Sequence, residues 1–276
     1  MSELMRFAAL GDSVTSGYGD PMPGGGWRGW AVLLAEALGA TPDGPVRFHN
    51  LAVSGARITD VADGQLPAAL ELRPTLASAL VGMNDTLRGD FDADVLGARL
   101  TTMVAALTAG GATVLTARLP DPGRMFGLPG ALARPLGRRM SALNAVLDRI
   151  AVEYGTIHVD IAGDEAGDRT IYARTNWSVD RLHPSERGHR LLAHRFAVAL
   201  RAHGHPVPEL PGLAATNPEP TVTQRAWWMA TQGNKWLLRR SRDLMPTLAR
   251  MVATEIWNGA RPAPATSPRP EITAAD

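Results

Sequence analysis

Short unbroken apolar runs recur along the first two hundred residues, each followed by a longer stretch with apolar positions three and four apart. The runs Met5–Leu10, Val46–Leu51, Leu76–Val81, Thr113–Ala117 and Thr156–Ile161 are continuous rather than alternating, as expected of strands buried on both faces. Helical periodicity covers Trp27–Leu38, Ile58–Leu70, Asp94–Ala109, Leu136–Tyr154 and Ser185–His203. Strand and helix in alternation predict right-handed crossovers and a parallel five-stranded sheet between helical layers. Ligands of such folds gather beyond the carboxyl ends of the strands. The residues that follow each apolar run are therefore the first candidates for chemistry.

The pattern breaks after residue 205. Pro206, Pro208, Pro211, Pro218 and Pro220 mark an extended linker or surface-hugging segment over 206–224. Residues 225–258 read as a helical extension rich in Trp, Leu and Arg, with Pro246 suited to the first turn of its second helix. Four prolines crowd into 259–276, which reads as a disordered tail. The expected organisation is one α/β domain over 1–205 with an appended extension.

Composition removes several chemistries. The chain of 276 residues has no cysteine, so disulfides, thiolate metal sites and cysteine nucleophiles are excluded. Lys235 is the only lysine, and a catalytic lysine elsewhere is ruled out. A net charge of +1 argues against a whole-chain grip on nucleic acid. The one strong local charge is the window 225–250, where Arg225, Lys235, Arg239, Arg240, Arg242 and Arg250 face Asp243 alone. Four of the seven tryptophans (Trp227, Trp228, Trp236 and Trp257) lie in the same extension. Such a segment packs on the domain or on a second copy of the chain, or lies on an anionic membrane surface. The first apolar stretch is too short for a signal peptide and is interrupted by Arg6, and no run is long enough to span a bilayer. A cytoplasmic location is the expectation.

Candidate chemistry sits where the fold class places it. Gly11-Asp12-Ser13 follows the first strand, and a serine there projects into the crevice at the sheet edge. The same residues also make ordinary turns and caps. Asp180-Arg181-Leu182-His183-Pro184 precedes the last helix. An imidazole can take a hydroxyl proton near neutral pH, and a carboxylate three residues before it can orient the ring. Taken alone, Asp180 is equally a turn cap and His183 a surface histidine. Ser54-Gly55 and Gly82-Met83-Asn84-Asp85 follow the second and third strands, and offer N–H donors to a developing oxyanion together with the Ser13 amide. Each feature is ordinary alone; the ordered set at successive strand ends is not.

That set resembles the SGNH hydrolases of the GDSL esterase/lipase family. The four signature residues match Ser13 in Gly-Asp-Ser, Gly55 in Asn-Leu-Ala-Val-Ser-Gly-Ala, Asn84 in Val-Gly-Met-Asn-Asp, and His183 in Asp-Arg-Leu-His-Pro, across residues 5 to 200. The family's acid falls on Asp180. The resemblance implies a flavodoxin-like three-layer α/β/α fold and a carboxylic-ester hydrolase with an acyl-enzyme on Ser13. It further implies a triad of Ser13, His183 and Asp180, an oxyanion hole of Ser13, Gly55 and Asn84, and no metal or cofactor. The expected partner is a small-molecule ester, with acyltransfer, thioester cleavage or a non-catalytic membrane-associated module as alternatives.

Other patterns weigh less. Thr15 replaces the second glycine of a Gly-x-Ser-x-Gly elbow. Gly17, Gly19 and Gly24–Gly26 lack a Gly-Lys-Ser/Thr ending and read as a mobile loop at the site mouth. His189 and His194 are badly spaced to share a metal, and Asp160, Asp164, Glu165 and Asp168 miss the EF-hand spacing. Gly123–Met140 mixes Met125, Phe126, Leu128, Leu132 and Leu136 with arginines. It reads as an acyl-binding wall, a lid, or the approach to the next helix.

Overall fold

The computed structural model describes residues 4–40, 44–163 and 169–217, with a few isolated positions beyond. Five strands, β1 (Met5–Gly11), β2 (Val46–Asn50), β3 (Leu76–Leu80), β4 (Thr113–Arg118) and β5 (Ile157–Asp160), form one sheet in the order β2-β1-β3-β4-β5. Every pairing is parallel. Each strand lies within a residue or two of its predicted bounds.

The helices are α1 (Gly29–Ala37), a composite α2, α3 (Met83–Thr86), α4 (Ala93–Ala109), α5 (Pro122–Phe126), α6 (Gly130–Tyr154) and α7 (Glu186–Ala202). The composite α2 runs through Ile58–Asp60, a π turn at Val61–Gln65 and Leu66–Glu71. α1 and α7 pack together on one side of the sheet, and α2, α4 and α6 pack on the other. The fold is the expected three-layer α/β/α sandwich. β3 is buried along its whole length, and Trp30 of α1 meets Phe196 of α7 with ring centroids 5.0 Å apart.

Two details depart from the sequence reading, and a third selects the surface-hugging alternative for the first residues after 205. The segment 123–140 is mostly helix: α5 occupies Pro122–Phe126, and α6 starts at Gly130, six residues before the predicted Leu136. Pro135 lies inside α6 near its beginning, where its missing N–H forfeits a single intrahelical bond. The glycine-rich stretch is divided. Gly29 and Gly17 approach so closely that a Cβ on Gly29 would overlap the Gly17 backbone, whereas Gly24 and Gly25 have open space around them. Its first half is therefore packed, in contrast to the mobile loop expected.

The third concerns the prolines after 205. Residues 206–217 form a strap against the domain. Arg201 donates to the carbonyls of Val207 and Pro208, His194 Nδ1 lies 2.9 Å from the Pro211 carbonyl, and Val207 is buried in the core. The strap is anchored at Glu186, whose carboxylate accepts from the Thr216 and Asn217 amides and the Thr216 hydroxyl at 2.7–2.8 Å. The same carboxylate accepts from Arg28 and Arg190, each at 2.8 Å. Burial alone would raise the Glu186 pKa, but these donors together bring it down to about 2. The readings of 225–258 and 259–276 lie outside the described residues, apart from isolated positions.

Two buried amides fix the backbone at strand ends. Gln65, at the end of the π turn, accepts from the Gly11 amide at 2.8 Å and donates to the Gly11 carbonyl at 2.9 Å. Asn144 of α6 does the same for Leu119, at 2.8 and 2.9 Å. Replacing Gln65 with Leu strands the Gly11 amide, while the carbonyl keeps the Val53 amide as donor, and denaturant unfolding should show a loss of roughly 1–3 kcal/mol. For Glu186, a lowered carboxyl pKa means a contribution present above about pH 4.5 and lost as pH falls towards 2. Glu186→Gln should therefore destabilise the chain at pH 7, with the gap to wild type closing as unfolding is measured at successively lower pH.

Candidate active site

Ser13 follows β1 at a turn that the sequence builds locally. Asp12 accepts from the Val14 amide at 3.0 Å, and the Ser13 carbonyl accepts from the Tyr18 amide at 3.0 Å. The turn places the Ser13 hydroxyl 2.8 Å from Nε2 of His183, across 170 residues of sequence. Nδ1 of that ring lies 2.6 Å from Oδ2 of Asp180. An ionised carboxylate only accepts, so Nδ1 carries the proton and Nε2 is left bare toward the serine hydroxyl.

Asp180 does two things with two oxygens. While Oδ2 holds the ring, Oδ1 accepts from the Leu182 and His183 amides at 2.9 and 3.0 Å and from the Ser178 hydroxyl at 2.6 Å. The turn is tight enough that Arg181 takes a left-handed φ of 56°, unusual for a residue other than glycine. Burial pushes the Asp180 pKa up, but the His183 hydrogen bond and the other donors outweigh it and hold the carboxyl below its ordinary value. The cap and the histidine partner, alternatives at the level of sequence, are the same residue in both roles.

Asn84 begins the short α3 and is buried. Its Nδ2 donates to the Ala56 carbonyl at 3.1 Å and lies 3.4 Å from Oδ2 of Asp12. Gly55, next to Ala56, has φ +85° and no atom where a Cβ would go. The backbone amides of Ser13 and Gly55 make no hydrogen bond to any described residue. The structure thus brings Ser13, His183 and Asp180 into one hydrogen-bonded chain, ties Asn84 to the Gly55-Ala56 turn, and leaves two backbone donors open at the same sheet edge.

Several residues support the site: Asp85 stands beside Asn84 in the sequence, where a local hydrogen bond could fix the loop, whereas the sequence pattern assigns His189 no supporting role. Asp85 is buried and accepts from the Ile58 amide at 3.1 Å and from Arg57 Nε at 3.3 Å, and Arg57 also pairs with Asp90. It ties the loop after β3 to the start of α2, which sets the Ala56 carbonyl against Asn84. Burial raises its pKa against these donors. His189 is fully buried: Nδ1 accepts from the Trp30 amide at 3.2 Å, so Nε2 carries the proton to the Tyr18 carbonyl, 3.0 Å away. Burial lowers its pKa to about 4, so it is neutral over the ordinary pH range. The carbonyl it holds belongs to the residue whose ring stacks on His183, with centroids 4.4 Å apart.

Burial raises the Asp12 pKa to about 6, against the lowering effect of the Val14 amide and the His183 charge. Among the described residues, no group of three or more His, Cys, Asp or Glu side chains is placed to hold a metal ion. Nor is any described helix long and apolar enough to cross a membrane.

Comparisons with known proteins agree with this arrangement. The family model for the GDSL-like lipase/acylhydrolase family matches residues 9–191. None of the curated proteins matches the sequence. Among solved structures, the chain is similar to TesA, with 24% identity over 72% of this chain and 99% of that one at a TM-score of 0.56. It is also similar to Axe2, an acetylxylan esterase from Geobacillus stearothermophilus, with 21% identity, coverage of 72% and 96%, and a TM-score of 0.57. A third is the psychrotrophic esterase EstA from Pseudoalteromonas sp., with 19% identity, coverage of 73% and 99%, and a TM-score of 0.53. At these identities the structural likenesses speak for the fold. The family match spans most of the chain and ends in α7, past the last of the four signature blocks. The chain belongs to the GDSL-like lipase/acylhydrolase family.

Proposed function

We propose that the protein hydrolyses carboxylic esters through an acyl-enzyme on Ser13. The reading rests above all on the unbroken hydrogen-bonded chain from the Ser13 hydroxyl through His183 to Asp180, at 2.8 and 2.6 Å. His183 Nε2 takes the hydroxyl proton as Oγ attacks the ester carbonyl carbon. Asp180, held ionised by its donors, stabilises the imidazolium. The Ser13 and Gly55 amides and Nδ2 of Asn84 donate to the tetrahedral oxyanion. The carbon–oxygen bond to the alcohol then breaks with its electron pair on the alkoxy oxygen, which takes the proton from Nε2. Water, deprotonated by the same nitrogen, attacks the acyl carbon and frees the acid and Ser13.

The acyl side is argued from a small apolar cavity of about 70 Å³ beneath the turn. Its walls include Asp12 and Val14 on either side of Ser13, Met83 beside Asn84, and Leu182 and Pro184 on either side of His183. An apolar cavity of about 150 Å³ accepts a benzene ring, so this one suits an alkyl group of a few carbons. Short acyl esters are the proposed substrates, with Met125 of α5 as one wall of the cavity.

A fluorophosphonate probe should label the wild-type chain on Ser13 and leave Ser13→Ala unlabelled, as read by mass spectrometry. Asn84→Ala should lower kcat by about 10²–10³ with little change in KM, the mark of a donor acting on the oxyanion. A panel of p-nitrophenyl esters should show kcat/KM falling by about tenfold or more from butyrate to decanoate. A profile rising with chain length would place the acyl group outside the cavity.

A further inference from the structure

Past His183, a groove of about 560 Å³ runs between the 178–181 turn, the first turn of α7 and the strap. Asp180 lines it and Ser13 does not. One wall is aromatic: the Tyr18 ring lies 4.5 Å from that of Trp27 and 4.4 Å from that of His183, centroid to centroid. Trp27 is 41% exposed, so the face of its ring is open to the groove's solvent side. The volume is in the range of small-molecule sites, and the aromatic wall gives a flat apolar surface for a ligand body.

The charged groups of the groove that are not already engaged with described residues have one sign. Arg174, Arg181 and Arg187 line it and are exposed, and none makes a side-chain hydrogen bond or ion pair with any described residue. The two carboxylates in the lining are already engaged. Asp180 is bonded to His183 and Ser178, and Glu186 to Arg28, Arg190 and the strap. Some arginines elsewhere in the fold are ion-paired, as Arg28 is with Asp20 and Arg57 with Asp90. Arg181 turns one end of its guanidinium towards Gly127, which leaves Arg174 and Arg187 as the unpaired arginines of this concave surface. Guanidinium groups so placed are suited to carboxylate or phosphate oxygens, which they can grip in bidentate fashion.

Position decides which part of a substrate would reach the groove. The alkoxy oxygen must leave within reach of His183 Nε2, because that nitrogen protonates it. The groove shares Asp180 and Tyr18 with the surroundings of that ring. We propose that it binds the alcohol portion of the ester, and that this portion carries a carboxylate or phosphate group attached to a flat or apolar body. The inference rests on Ser13 being the nucleophile, and goes beyond that reading by naming the leaving group's charge.

The test uses the full chain and three acetyl esters: methyl 4-acetoxybenzoate, 4-acetoxybenzoate and 4-acetoxyphenyl phosphate. Each kcat/KM is divided by the rate of the same ester with hydroxide, to remove intrinsic reactivity. The expected result at low salt is a preference of about tenfold or more for at least one anionic ester, shrinking in 0.5 M NaCl as screening predicts. Which anion is preferred separates carboxylate from phosphate. The double substitution Arg174→Glu with Arg187→Glu should bring the ratio to one or below.

Equal normalised rates in the wild type, or a preference that survives the double substitution, would overturn the groove assignment. Ser13 labelling and turnover of the neutral ester would then still stand. Conversely, neutral-ester turnover that persists in Ser13→Ala would overturn the nucleophile reading instead. Calorimetry with the product 4-hydroxyphenyl phosphate, against hydroquinone, reads the groove without turnover. Tighter binding of the phosphate that weakens at least tenfold in the single variants Arg174→Ala and Arg187→Ala supports the assignment, and equal binding of the two compounds overturns it.

Discussion

A carboxylate with four donors around it governs the geometry of this site. Asp180 would bend the 178–183 turn even if no histidine followed, because Oδ1 gathers two backbone amides and a serine hydroxyl. Gathering them pre-orients Oδ2, which meets Nδ1 of His183 at 2.6 Å. The ring then has one orientation and one tautomer, and its free nitrogen has one neighbour, Ser13. Turn formation and ring alignment are therefore one event, driven by the cost of leaving a buried carboxylate unsatisfied. The left-handed Arg181 is the backbone strain that this arrangement carries.

The other half of the constellation depends on what happens where β2 stops. β1 runs two residues further along β3 than along β2, so Gly11 lies beyond the β1–β2 ladder. There the Gln65 amide bonds both Gly11 groups, with the Val53 amide as a second, longer donor to the carbonyl at 3.3 Å, and this fixes the backbone immediately ahead of Asp12 and Ser13. A regular α-helix over 58–71 would advance Gln65 differently. The π turn at Val61–Gln65 is the local irregularity that delivers it, in keeping with the tendency of π turns to occur at functional sites.

These two devices show why some of the molecule was legible in its sequence and some was not. The strands were readable because burial on both faces demands unbroken apolar runs, and the main helices because a 3.6-residue period survives averaging. Ser13, Gly55 and Asn84 were candidates because they follow those runs at the strand ends, and Asp180 and His183 because they stand three residues apart just before the last helix. Gln65, Asn144, Asp85 and His189 sit inside helices or beside a named residue. Their roles arise from contacts 25 to 171 residues away, which no local pattern encodes. α5 and the start of α6 were missed for a different reason: Pro122 and Pro135 suggest interruption, yet tertiary contacts tolerate both near helix beginnings.

The Pro-rich segment illustrates the same competition between local and long-range terms. Its composition gives it no secondary structure of its own, and its order comes from donors on α7. Arg190, Arg201 and His194 meet its carbonyls, and Glu186 collects its amides near the far end. Glu186 also binds Arg28, which binds Asp20, whose carboxylate accepts from the Gly29 amide. Asn217 completes the circuit by donating to the Pro21 carbonyl. The strap, the start of α7 and the first half of the glycine-rich loop thus form one network of charge-assisted bonds around the aromatic wall of Tyr18 and Trp27. A network so closed holds its own arginines in pairs and leaves Arg174, Arg181 and Arg187 outside it. The cationic character of the groove is accordingly a property of the residues that the fold's ion pairs do not absorb, and any anion that enters meets them without first displacing a carboxylate of the protein.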